Sequence, residues 1–291
     1  EHIPEFPYDL PQVMGPDEHK DIAETCASIG VMMLGLRLHQ MTPRPDAFDV
    51  IENTLYNHFL GALSLDHRGI FYYNPLRLVG AHPKEDLDRD AYRRTVLPEL
   101  HRTSCCFPNA WRFLARLPQS IASTSEDGIY IHLYTSCSFE HRLENGTSVG
   151  LALETDYPHD GVIHLTVRPS QPVRFTVYLR IPAWVERGIL TVEDEPIQEV
   201  GGGSYLALKR FWQAATEVRL ELEMPVRALL SRPEIVANRG QVAFARGPLI
   251  YCAEQADSEI SVEDLCVSGK MDAILEASEA AWHPDFLGGC H

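Results

Sequence analysis

Two adjacent cysteines, Cys105 and Cys106, stand immediately before Phe107-Pro108-Asn109, and a second close pair, Glu24 and Cys26, lies far upstream. Thiolates and a carboxylate are ligands for a tetrahedral ion such as Zn²⁺, and two close pairs from distant segments could form such a site while tying the segments together. The competing reading is plain packing, because free cysteine is among the most buried residue types. Spacing alone favours that reading. Adjacent cysteines rarely bond to each other, so Cys105 and Cys106 are expected to be either free thiols or metal thiolates. Residues two apart on an ideal helix diverge by about 200°. Joint use of Glu24 and Cys26 therefore requires a helix that starts late or is distorted at Glu24.

Other chemistry-bearing types are less suggestive. His19, His39, His58, His101 and His132 are scattered singly, the pattern of surface or satisfied core histidines. No nucleophile elbow, phosphate-binding glycine loop or His-Glu-x-x-His pattern occurs. Gly201-Gly202-Gly203 falls between two strand-like stretches with no helix after it, which reads as a flexible hairpin. Tyr72, Tyr73, Trp111, Tyr130 and Tyr134 could stack on a sugar face, although aromatics in and beside strands are more often core.

The elements that must position these residues follow from periodicity. Pro4 to Pro16 reads as an extended loop, after which Asp17 can cap a helix carrying Ile22, Cys26, Ile29, Met33 and Leu36 to about Gln40. After Pro43 and Pro45, Asp46 can cap a second helix through Phe48, Ile51, Leu55 and Phe59 to about Gly61. Residues 69–76 read as a short strand or extended segment, and 77–104 as a charged irregular stretch. A third helix runs from Asn109 to Leu117, with Pro108 suited to a first turn. The cysteine pair then precedes a helix N-terminus, which favours thiolate. At Gly128 the period changes to two. Residues 129–134, 148–154, 161–167, 173–181, 204–208, 217–222 and 241–244 read as strands, which argues for an antiparallel β-sandwich.

Length and composition bound the possibilities. The chain has 291 residues, long enough for two domains, and 45% of them are hydrophobic. A net charge of −16 repels phosphate backbones and anionic membranes, so neither nucleic acid nor a membrane is an expected partner. Seven unevenly spread cysteines do not resemble a disulfide framework, and a reducing, cytoplasmic compartment is expected.

Seven stretches resemble, in order, glycoside hydrolase family 127, the bacterial beta-L-arabinofuranosidase family. They are Tyr8-Asp9-Leu10-Pro11, Ala23-Glu24-Thr25-Cys26-Ala27-Ser28-Ile29-Gly30, Glu52-Asn53-Thr54-Leu55-Tyr56-Asn57, Phe71-Tyr72-Tyr73-Asn74-Pro75-Leu76, Cys105-Cys106-Phe107-Pro108-Asn109, Asp127-Gly128-Ile129-Tyr130 and Ala243-Phe244-Ala245-Arg246-Gly247-Pro248-Leu249-Ile250-Tyr251. The fold this resemblance implies is α+β and multidomain. Residues 1–127 would be the C-terminal part of a helical (α/α)6 catalytic barrel, 128–257 a β-sandwich, and 258–291 a truncated C-terminal segment.

The resemblance also implies chemistry. Zinc would be held by Glu24, Cys26, Cys105 and Cys106, with Cys105 the nucleophile of a retaining glycoside hydrolase. The acid/base glutamate maps to Glu1, with Glu5 as the alternative, and Tyr72 matches a tyrosine beside the substrate. Thr103 stands where the family has a histidine, and Phe107 replaces a frequent proline. The expected partner is an L-arabinofuranoside-type carbohydrate, and a homodimer is admitted. The rival reading is a non-catalytic carbohydrate-binding or structural fragment in which zinc only staples helix to loop.

Overall fold

The computed structural model describes residues 24–63, 69–71, 74, 94–96, 105–126, 128–193, 195, 198–233, 235, 238–254 and 258–267. Helix α1 (Thr25–Met41) is followed by α2 (Pro45–Asn53), which continues as a π-helix over Thr54–Phe59. Strands β1 (Gly69–Phe71) and β2 (Arg94–Val96) pair antiparallel, so part of the stretch expected to be irregular is a strand. Helix α3 (Cys106–Leu114) and a 3₁₀ turn (Leu117–Ser120) lead into thirteen further strands: β3 (Ala122–Ser125), β4 (Gly128–Ile131), β5 (Cys137–Arg142), β6 (Ser148–Thr155), β7 (Val162–Pro169), β8 (Val173–Ile181), β9 (Gly188–Val192), β10 (Gln198–Val200), β11 (Ser204–Trp212), β12 (Thr216–Leu222), β13 (Val226–Leu229), β14 (Ala243–Arg246) and β15 (Leu249–Tyr251). The result is a mixed α+β fold.

The chain falls into two compact units, one of residues 1–32, 54–112 and 226–291, the other of 33–53 and 113–225. In the second unit six strands run in the order β10-β9-β12-β7-β6-β5 and four in the order β11-β8-β4-β3. Period-two patterning explains the larger sheet. Val149, Leu151 and Leu153 on β6, Ile163, Leu165 and Val167 on β7, and Val218, Leu220 and Leu222 on β12 are buried, while their neighbours alternate outward.

The smaller sheet departs from pure alternation because its inner strands are covered on both faces: β4 is buried throughout, as is most of β8. Phe48 of α2 stacks on His132, just after β4, at 4.2 Å between ring centroids. Arg180 of β8, fully buried, donates to Asp49 Oδ1 (2.6 Å), to Glu52 Oε1 and to the His132 carbonyl (2.6 Å). Glu52 also accepts from Tyr157 Oη (2.7 Å) and Trp184 Nε1 (3.3 Å). Burial works against the guanidinium charge, but Glu52, Tyr157 and Asp49 outweigh it and hold the pKa above its ordinary value.

Two expectations are corrected here. The sheets are not wholly antiparallel, because β4 pairs parallel with β8, Gly128 facing Thr176. Gly128 has φ +151°, and a Cβ there would lie 2.1 Å from the Thr176 carbonyl oxygen, so only glycine fits. Gly201-Gly202-Gly203 is not a hairpin either. It carries the chain from β10 in one sheet to β11 in the other, and a Cβ on Gly202 would come within 2.4 Å of the Pro182 carbonyl oxygen. The β5–β6 turn at Asn145-Gly146 is a tight hairpin, with Gly146 at φ +85°.

In the first unit β13, β14 and β15 form a separate antiparallel sheet. Asn57, in the π-helix, donates to the Pro248 carbonyl (2.9 Å) and accepts from the Ile250 amide (2.8 Å), tying that turn to the sheet. Among the described residues no helix is long and apolar enough to cross a membrane.

Candidate metal centre

The Glu24–Cys26 pair is positioned by where α1 begins. Glu24 precedes the helix and its backbone carbonyl accepts the amides of Ala27 (3.0 Å) and Ser28 (3.2 Å), the role of an N-cap residue. Its side chain is therefore not bound to the helical spacing, and the divergence from Cys26 expected on an ideal helix does not apply. Thr25, between them, is fully buried. Its Oγ1 donates to the Phe71 carbonyl (2.7 Å) and accepts from Asn74 Nδ2 (2.9 Å), fixing the rotation of this turn.

The cysteine pair is set by α3. Cys105 sits in the turn just before the helix, and Cys106 is its first residue. The Cys105 carbonyl accepts the Asn109 amide at 3.1 Å, and Pro108 lies in the first turn, where its missing N–H costs nothing. The helix starts three residues earlier than the apolar periodicity suggests.

These two turns bring Glu24, Cys26, Cys105 and Cys106 together, with their ligand atoms all within 4.8 Å of one another. Cys26 Sγ and Cys106 Sγ are 3.5 Å apart, Cys105 Sγ and Glu24 Oε1 3.3 Å, and Cys106 Sγ and Glu24 Oε1 4.0 Å. The edges of a tetrahedron of sulfur and oxygen about a zinc-sized ion are about 3.5 to 3.8 Å, so a small inward shift of the widest pair would let this donor set hold a metal ion. Cys106 is fully buried, Cys26 half-buried and Cys105 exposed. Cys105 is therefore the most exposed residue of the three cysteines.

Burial also raises the thiols. Burial, together with the Cys106 sulfur and despite an Asn109 hydrogen bond, pushes the Cys26 thiol up to about 11. Burial and the neighbouring Cys26 and Glu24 push Cys105 up to about 12. This runs against the lowering expected from the helix N-terminus: burial is the main cause of both rises, and the neighbouring sulfurs and the Glu24 carboxylate add to that of Cys105.

The other residues named from the sequence fall elsewhere. Glu1, Glu5, Tyr72, Tyr73, His19, His101 and Thr103 lie outside the described residues. Tyr130 and Tyr134 are core residues of the second unit, and Tyr134 Oη donates to the Arg180 carbonyl. His132 is held by Tyr205 Oη and Ser123 Oγ, each at 2.7 Å, and burial drives its pKa down to about 2. Sequence reasoning missed two residues that touch the cluster's framework, Asn109 and Thr25. The available signal was Asn109 lying three residues after Cys106, on the same face of a helix.

The sequence model described as beta-L-arabinofuranosidase, GH127 catalytic domain, matches residues 7–119, that of the GH127 middle domain 128–224, and that of the glycoside hydrolase family 127 C-terminal domain 226–279. The chain belongs to glycoside hydrolase family 127. It is 30% identical over 301 aligned residues to the non-reducing end beta-L-arabinofuranosidase of Bifidobacterium longum subsp. longum, an alignment covering 98% of this chain and 42% of that protein.

Solved family 127 structures resemble it as well. A beta-L-arabinofuranosidase from Geobacillus stearothermophilus T6 matches with TM-score 0.72 and 33% identity, over 81% of this chain and 37% of that one. A structure described as a glycoside hydrolase matches with TM-score 0.73 and 32% identity, over 82% and 39%. The chain thus spans about two fifths of the length of the family 127 relatives it matches.

Proposed function

We propose that the protein is a retaining glycoside hydrolase that releases L-arabinofuranose, or a related sugar, from glycans, with Cys105 as nucleophile in a zinc site completed by Glu24, Cys26 and Cys106. The observation that carries this reading is a Glu-Cys₃ set with one exposed cysteine, in a chain of this family. When bound, the ion supplies the positive charge that keeps the sulfurs as thiolates near neutral pH.

In this scheme the Cys105 thiolate attacks the anomeric carbon and the bond to the leaving oxygen breaks, while a carboxylic acid protonates that oxygen. The same carboxylate then takes a proton from water, whose oxygen displaces Cys105 as thiolate. Two inversions return the starting configuration. The acid/base role belongs to Glu1, or alternatively Glu5, and Tyr72 contacts the sugar. Residues 1–127 form the last part of an (α/α)6 barrel, followed by a β-sandwich over 128–257 and a terminal segment over 258–291, the family's C-terminal model starting already at residue 226.

Two measurements test this. Chain purified in reducing, chelator-free buffer should carry close to one zinc per chain, and less than about 0.2 equivalents would sink the ligand assignment. Proton NMR of the first product from an aryl β-L-arabinofuranoside should show the β anomer, and an inverted anomer would reject double displacement. Zinc uptake without hydrolysis would instead favour the non-catalytic, structural role for the site.

A further inference from the structure

The cluster has a hydrogen bond from outside the ligand set. Asn109, in the first turn of α3, brings Nδ2 within 2.9 Å of Cys26 Sγ, and Arg112, one turn on, donates from Nη2 to Asn109 Oδ1 at 2.6 Å. The pair of contacts fixes which way the amide points. A guanidinium carries donors only, so the oxygen must face Arg112 and the NH₂ must face the sulfur. The bond crosses from α3, which carries Cys105 and Cys106, to the turn that carries Cys26. It therefore acts on the register between the two ligand-bearing segments and on the direction of the Cys26 sulfur.

We infer that Asn109, oriented by Arg112, is a positioning residue of the metal centre: its amide holds Cys26 Sγ in the ligand set and so tightens metal binding. This rests on the metal-centre reading above. Outer-shell donors that orient a ligand change metal affinity by about 10- to 100-fold when removed. A staple that only joined α1 to α3 would change apo-protein stability and leave the affinity of the folded chain alone.

The test is zinc affinity of the 291-residue chain, measured by competition with a chromophoric chelator, alongside urea unfolding of the metal-free forms. Asn109→Ala should still bind one zinc, with the dissociation constant raised about 10- to 100-fold, and its cobalt-substituted form should show a shifted sulfur-to-cobalt charge-transfer band. Arg112→Ala should weaken zinc in the same direction by a smaller factor. Arg112→Lys, which can still donate to Oδ1, should match the wild type. An Asn109→Ala affinity within about twofold of wild type overturns the inference. If Asn109→Ala fails to fold, Arg112→Ala decides, since Arg112 is exposed, and wild-type affinity there overturns it equally. A wild-type chain that takes up no zinc removes the metal-centre reading along with this one, whereas normal wild-type uptake with unchanged variants removes the role of Asn109 alone.

Discussion

Thr25 shows how much of a site depends on a residue that touches none of its chemistry. Its hydroxyl joins the turn between Glu24 and Cys26 to Phe71 and Asn74, and it is fully buried. Thr25→Val keeps the shape and removes both bonds, so it should cost about 1–3 kcal/mol in urea denaturation and weaken zinc uptake with it; unchanged stability would show that the hydroxyl is not the anchor. At this scale the sequence was legible for types and partly for geometry. Glu24, Cys26, Cys105 and Cys106 stood out as candidate ligands although spacing alone favoured packing, and joint use of Glu24 and Cys26 required a helix that starts late or is distorted at Glu24; the N-cap position of Glu24 supplies the late start. The amide of Asn109 was not legible as a partner of Cys26, because that contact depends on the relative placement of two helices.

Between elements, buried charge ties helix to sheet within the second unit. Arg180 bridges Asp49 and Glu52 of α2 to β8 with no exposure of its own. Arg180→Met would leave two carboxylates uncompensated and should destabilise by about 3–5 kcal/mol, readable as a lower urea midpoint. His132 makes a pH prediction. It is neutral in the folded state, with pKa about 2, while in the unfolded chain it protonates near the ordinary value of about 6.5. Its contribution is therefore complete above that value and is lost as pH falls below it. Relative to His132→Asn, the wild type should lose about 2 kcal/mol more between pH 7 and pH 5; parallel stability curves would contradict this. His39, at 4.3 Å from the His132 ring and also pushed down by burial, adds to the slope in the same direction. Strands with clean alternation, such as β6, β7 and β12, were legible. Short edge strands such as β3 and β10 were not, since a few polar residues at a sheet edge carry no period, and the parallel β4–β8 pairing is a property of topology alone.

Over the described residues, several of the stretches that resemble the family meet across long sequence separations. Cys105 to Asn109 meets Glu24 and Cys26, Thr25 meets Phe71 and Asn74, and Asn57 meets Pro248 and Ile250. All of these contacts lie in the first unit. Metal removal should therefore act locally. Hydrogen exchange after chelation should rise at residues 24–32 and 105–112 and stay unchanged in β6, β7 and β12, whereas a uniform rise would place the effect of metal in both units. The central claim is the covalent role of Cys105. Its most direct test is peptide mass spectrometry on zinc-loaded protein quenched during turnover of an activated aryl β-L-arabinofuranoside: a single pentosyl adduct on the peptide carrying Cys105 is expected, and turnover with the adduct on a carboxylate would contradict the account.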